Sequence, residues 1–127
     1  MNVKAMLADF LTFVTPKSMH KARFSVLLDA VTALAKDACC TVTAIGRAMP
    51  GSSDKVSIKR ADRLLNNPNL QRELPLIYAA LTASIVGHKT KPIILVDWSN
   101  ADTAKRHFIL RASIAADGRA LTLLQKI

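Results

Sequence analysis

The hydrophobic pattern of this chain changes period once, and that change limits what it can fold into. From Val3 to Ile85 apolar residues recur at every third or fourth position, the spacing of amphipathic helices. After Pro92 they run unbroken through Ile93, Ile94, Leu95 and Val96 into Asp97, which reads as a central strand covered on both faces. Helices followed by strands give an α+β class. Gly87-His88-Lys89-Thr90-Lys91-Pro92 reads as the linker, dividing the chain into residues 1–88 and 89–127. With 127 residues, 50% of them hydrophobic, the chain has ample material for a core.

Five helices are expected before the linker. Val3, Met6, Leu7, Phe10, Leu11 and Val14 define the first, which Pro16 ends. Phe24, Leu27, Leu28, Val31, Leu34 and Ala35 carry the second, over about 17–38. Thr41 or Thr43 caps a short third helix through Met49, and Pro50-Gly51-Ser52-Ser53 breaks it and offers a new N-cap. The fourth runs to Asn66-Asn67-Pro68-Asn69. The fifth, about 70–86, carries Leu74, Ile77, Tyr78, Leu81 and Ile85 on one stripe, with Pro75 in its first turn, where a missing amide proton is harmless.

Three strands follow, at about 93–98, 106–115 and 120–127. The last two are joined by Ala116-Asp117-Gly118-Arg119, whose Asp-Gly pair favours a two-residue hairpin loop. His107 reads as a strand residue facing solvent and His88 as an exposed linker residue.

Charge narrows the partner. Lys and Arg total 18 against 9 acidic residues, a formal charge of +9, which points to a polyanion and first to nucleic acid. On the fourth helix Ile58, Ala61 and Leu65 share one side, while Lys55, Lys59 and Arg63 stack on another with Arg60 beside them. A short helix, a Pro-Gly turn and a basic helix is the order of a helix-turn-helix, whose second helix enters a major groove. Arg47, on the preceding helix, is a further candidate. The same spacing also fits a solvated charged face, since Asp54 and Asp62 are interspersed. No aromatic residue interleaves these charges, so duplex phosphates suit them better than stacked single-stranded bases.

Other classes fall away. Cys39 and Cys40 are adjacent, lack Cys-x-x-Cys spacing and have no histidine at ligand spacing, so they read as reduced core thiols of a cytoplasmic protein rather than as zinc ligands. Asp9 interrupts the N-terminal apolar stretch, against a signal peptide. The longest uncharged run, Leu74 to Gly87, is shorter than the roughly 18 residues of a membrane span.

Val96-Asp97-Trp98-Ser99 in ILVDWSN, the following KRHFILRASIAADGRALTLLQKI, and the preceding Ile58-Lys59-Arg60-Ala61-Asp62-Arg63-Leu64-Leu65-Asn66 closely resemble bacterial insertion-sequence transposases of the DDE, cut-and-paste kind. The resemblance covers nearly the whole chain. It implies a helical N-terminal region that binds the element's terminal repeats as double-stranded DNA. A ribonuclease-H-like catalytic domain that begins with three antiparallel strands would follow. It also makes Asp97 the first catalytic aspartate and a ligand of Mg2+, with two ions activating the attacking oxygen and stabilising the leaving one. That role would account for a carboxylate at the end of an apolar strand, where an unpaired charge is costly. A loop-end aspartate satisfied by Ser99 and backbone amides is the structural alternative.

The family's second aspartate and its glutamate, in a Tyr-x-x-x-Arg-x-x-x-Glu pattern, have no counterpart here. Asp102 and Asp117, the only acidic residues after Asp97, fall in a loop and a turn. The expectation is a truncated transposase with an incomplete ribonuclease-H-like domain, which binds DNA, is catalytically silent alone, and pairs with intact transposase or with itself. Two other readings stay open: a stand-alone helical DNA-binding protein or transposition inhibitor, and an interaction module whose basic face meets an acidic protein.

Overall fold

Each helix start coincides with a polar side chain able to accept the first free amide protons. In the computed structural model, which describes residues 2–87, 90–116 and 118–127, Asn2 caps α1 (Val3–Val14) and His20 Nδ1 accepts from Ala22 ahead of α2 (Lys21–Asp37). Thr41, the first of the two candidates, caps α3 (Val42–Ala48), and Ser53 caps α4 (Asp54–Leu65). Asn67 Oδ1 accepts from the amides of Asn69 and Leu70 at 2.9 and 3.3 Å and opens α5 (Pro68–Val86). α5 therefore starts at Pro68 and places Pro75 in its interior, not in its first turn. There the ring withholds a proton from the carbonyl four residues earlier, a local weak point in the ladder.

Three strands complete an α+β chain: β1 (Ile94–Asn100), β2 (Phe108–Ala116) and β3 (Arg119–Lys126). Packing divides it into Met1–Leu74 and Pro75–Ile127, so the division falls within α5 at Pro75, whereas the sequence placed it at 88/89. His88 and Lys89 lie outside the described residues. Among the described residues no helix is long and apolar enough to cross a membrane.

In the first unit Leu11 and Val14 of α1, Ala30 and Ala33 of α2, Ile45 of α3, Ala61 and Leu64 of α4, and Leu70 of α5 form the core. α4 buries Ser57, Ala61 and Leu64, leaving Leu65 exposed; the apolar side is rotated by one position from the Ile58-Ala61-Leu65 reading. α3 and α4 approach so closely at Gly46 that a Cβ there would overlap Ile58 Cα and lie 2.8 Å from Ile58 N. Cys39 and Cys40 are free thiols but exposed, not core residues, because they sit just after α2 ends with Ala38 in a left-handed conformation.

In the second unit the sheet is antiparallel in the order β1-β2-β3, so β2 is central and β1 lies at an edge. Ile114 of β2 is fully buried, and the Thr82 hydroxyl of α5 donates to the Leu123 carbonyl at 3.4 Å. β1 is different: Val96 is 68% and Trp98 64% exposed. The expected strand covered on both faces is thus an exposed edge strand, paired among the described residues with β2. Ala116 pairs with Arg119 across a two-residue loop, and Gly118 there has φ +75°, a left-handed value that glycine adopts without penalty. Asp117 lies outside the described residues.

The loop from β1 to β2 is organised by Asp102. Its carboxylate accepts from the Arg106 amide at 2.9 Å and pairs with His107 Nδ1 at 2.6 Å, so His107 closes the loop before β2 and is not a strand residue. The His107 hydrogen bond, followed by the Arg106 amide, holds the Asp102 carboxyl below its ordinary value of 3.8. A depressed carboxyl stabilises the fold above its unfolded pKa and loses that contribution as pH falls through the folded one. The Arg106 amide resonance is therefore expected to titrate with a midpoint below 3.8. A midpoint at or above that value would show the carboxylate to be disengaged.

Candidate nucleic-acid interface

α4 presents two opposed sides because its small buried residues pack against α3 while its long cationic ones cannot be buried unpaired. Lys55, Lys59 and Arg63 are all exposed, one helical turn apart and about 6 Å from one to the next along the axis. Met49 to Ser53 link α3 to α4, with Gly51 so close to Ser57 that a Cβ would overlap its hydroxyl. This is the helix, Pro-Gly turn and basic helix order anticipated from the sequence.

The remaining two cations are placed differently. Arg47 pairs loosely with Asp54 at 3.7 Å, both side chains largely exposed, an interaction of little energetic weight. Arg60 is turned into the fold: Nη1 donates to the Pro50 carbonyl at 2.6 Å and Nη2 to Asp29 Oδ2 at 3.2 Å. Asp29 is buried on α2 and also accepts from Lys4 Nζ at 2.9 Å, so one carboxylate ties α1, α2 and α4 together.

A further cation near α4 has no local signature in the sequence. Arg23 of α2 donates from Nε and Nη2 to the two oxygens of Glu73 at 2.8 and 2.6 Å, in a fork with both side chains more than four-fifths buried. The hydrogen bonds to Glu73 raise Arg23 further above its ordinary value, against the opposing effect of burial. Only an acidic residue next to the apolar stripe of α5, Glu73 before Leu74, hinted at such a partner.

Asp97 stands on edge strand β1, exposed, directly across from Arg111 of β2. Arg111 in turn donates to Gln125 Oε1 at 3.2 Å. An exposed carboxylate needs no metal to offset desolvation, so the cost that motivated a metal at Asp97 is absent. Among the described residues no three of His, Cys, Asp and Glu converge as metal ligands, and the register partner of Asp97 is a cation. A pair of Mg2+ ions does not fit this arrangement. Comparison of the chain with protein-family models, curated proteins and solved structures found no match.

Proposed function

We propose that this chain binds double-stranded DNA through the exposed side of α4, as the end-recognising part of a transposase of the DDE kind. In that reading β1, β2 and β3 are the opening strands of a ribonuclease-H-like domain. The observation that carries it is the exposed Lys55-Lys59-Arg63 stripe on a helix whose opposite side is anchored to α3, in a chain of charge +9. A rigidly held helix can present its cations to both walls of a groove without reorganising. The strand chemistry of such enzymes is not assigned to these residues, because among the described residues no group of three His, Cys, Asp or Glu side chains that could hold a metal forms at Asp97. A stand-alone DNA-binding protein is the second reading, favoured by the buried core that the first unit assembles from its own helices.

Equilibrium titration of the full chain with duplex DNA at several salt concentrations tests this proposal. Replacing Lys55 and Lys59 together by alanine is expected to weaken binding by tenfold or more near 0.1 M salt and to reduce the slope of log K against log salt by about 2. Asp97→Asn should leave duplex affinity unchanged, and neither protein should nick DNA in Mg2+. Unaltered affinity and slope in the double variant would remove α4 from the interface.

A further inference from the structure

A cavity of about 290 Å³ lies among the start of α2, the C-terminal half of α4 and the α4–α5 connection, lined by His20, Arg23, Arg60, Arg63, Leu64 and Asn67. We infer that this cavity is a phosphate site, and, resting on the duplex-binding reading, that it seats one backbone phosphate of the bound DNA.

Three guanidinium groups meet here, and two are fixed before any ligand arrives. Arg23 is locked by Glu73 through Nε and Nη2, which leaves Nη1 unengaged. Arg60 is held by Pro50 and Asp29 through its two Nη atoms, which leaves Nε. Arg63 makes no hydrogen bond or ion pair among the described residues and supplies a full fork. Like charges are normally kept apart, and here the carboxylates of Glu73 and Asp29 offset only part of the repulsion. Those two anions face four cations, Lys4, Arg23, Arg60 and Arg63, so positive charge remains in excess.

Asn67 adds a directional donor. Its Oδ1 is committed to the amides of Asn69 and Leu70, which fixes the orientation of the amide and leaves the Nδ2 protons for the cavity. Donors from separate elements around one excess of positive charge suit an oxyanion with several oxygens, and guanidinium forks match phosphate geometry in particular. The volume sits at the lower edge of the roughly 300–1,000 Å³ usual for small-molecule sites, room for one phosphate and its waters. Arg63 also ends the exposed stripe that starts at Lys55, so a phosphate here would continue the track along α4 and fix the helix's register on the duplex.

The test uses the full chain and inorganic phosphate, followed through backbone, arginine Nε and asparagine side-chain resonances at constant ionic strength with chloride as reference. Saturable shifts confined to Arg23, Arg60, Arg63 and Asn67, with a millimolar dissociation constant, are expected. Asn67→Asp keeps the capping oxygen, because Asp and Asn cap equally well, but places a carboxylate in the cavity. It should keep the helical circular dichroism, abolish saturable phosphate binding and weaken duplex binding about tenfold. Shifts that are linear and scattered, together with parent-like duplex affinity in Asn67→Asp, would overturn the site. Duplex binding that still depended on Lys55 and Lys59 would in that case leave the DNA reading standing. Saturable phosphate binding in a protein without duplex affinity would support the cavity with a free phosphate group as its ligand and sink the DNA reading.

Discussion

Gly46→Ala is expected to lower the melting temperature of the helical unit by about 10 °C. The added methyl would overlap Ile58 Cα, lie 2.8 Å from Ile58 N and meet Ile58 Cγ1 at the same distance. Two of these three atoms are backbone inside α4, so relief requires moving the helix rather than turning a side chain. Overpacking of this kind costs about 1–3 kcal/mol, at the upper end where the neighbour cannot yield. Alanine returns at most about 1 kcal/mol through its better helix propensity. The net, roughly 2 kcal/mol, corresponds to about 10 °C for a unit of this size. Thermal unfolding followed by circular dichroism checks it. A melting temperature unchanged or raised would mean that α3 and α4 are not in close contact at this point, and the geometry that presents α4's basic stripe would lose its anchor.

How much of this could be read beforehand depends on how local the determining interactions are. The helices, their caps at Thr41 and Ser53, and the hairpin loop at Gly118 follow from side chains acting within a few residues of themselves, and the sequence shows them directly. Pro75 was misplaced because the cap that matters is Asn67, which starts α5 with Pro68 as its first residue and so turns a harmless proline into an interior one. β1 shows a different limit. Its unbroken apolar run identifies a strand, but coverage depends on strand order, and an edge position leaves Val96 and Trp98 in solvent. The argument for a buried carboxylate at Asp97 rested on that coverage. Arg60 is the most instructive case at the candidate interface. Its place on the helix suggested phosphate contact, yet its partner Asp29 lies 31 residues away in sequence, and Arg23 and Glu73 are 50 apart. No periodicity carries such pairings. An acidic residue embedded among Leu27, Leu28 and Ala30, like Glu73 before Leu74, is the kind of sign the sequence offers that a cation must come from elsewhere.

Asp29→Ala should destabilise the helical unit by roughly 2 kcal/mol, because it removes the acceptor shared by Lys4 and Arg60 and leaves two cations facing each other. Breaking a fully buried pair costs about 3–5 kcal/mol, but here the partners are partly solvated, with Lys4 52% and Arg60 31% exposed, so water recovers part of the loss. Arg60 also keeps its bond to the Pro50 carbonyl, which limits how far α4 can drift. Urea unfolding of Asp29→Ala, Arg60→Ala and the double variant separates the two roles open to Arg60. If the guanidinium holds the helices together, each single change lowers the midpoint and the double change costs less than their sum, since both remove one interaction. If its Nη atoms instead reach out along the exposed stripe to a groove phosphate, Arg60→Ala leaves the midpoint in place and weakens duplex binding as much as a change at Lys59. The hydrogen bonds favour the first outcome: each Nη atom of Arg60 is already engaged, so only its Nε is left for a phosphate in the neighbouring cavity and a groove phosphate reached through either Nη costs a protein contact, whereas Lys59 makes no such contact among the described residues.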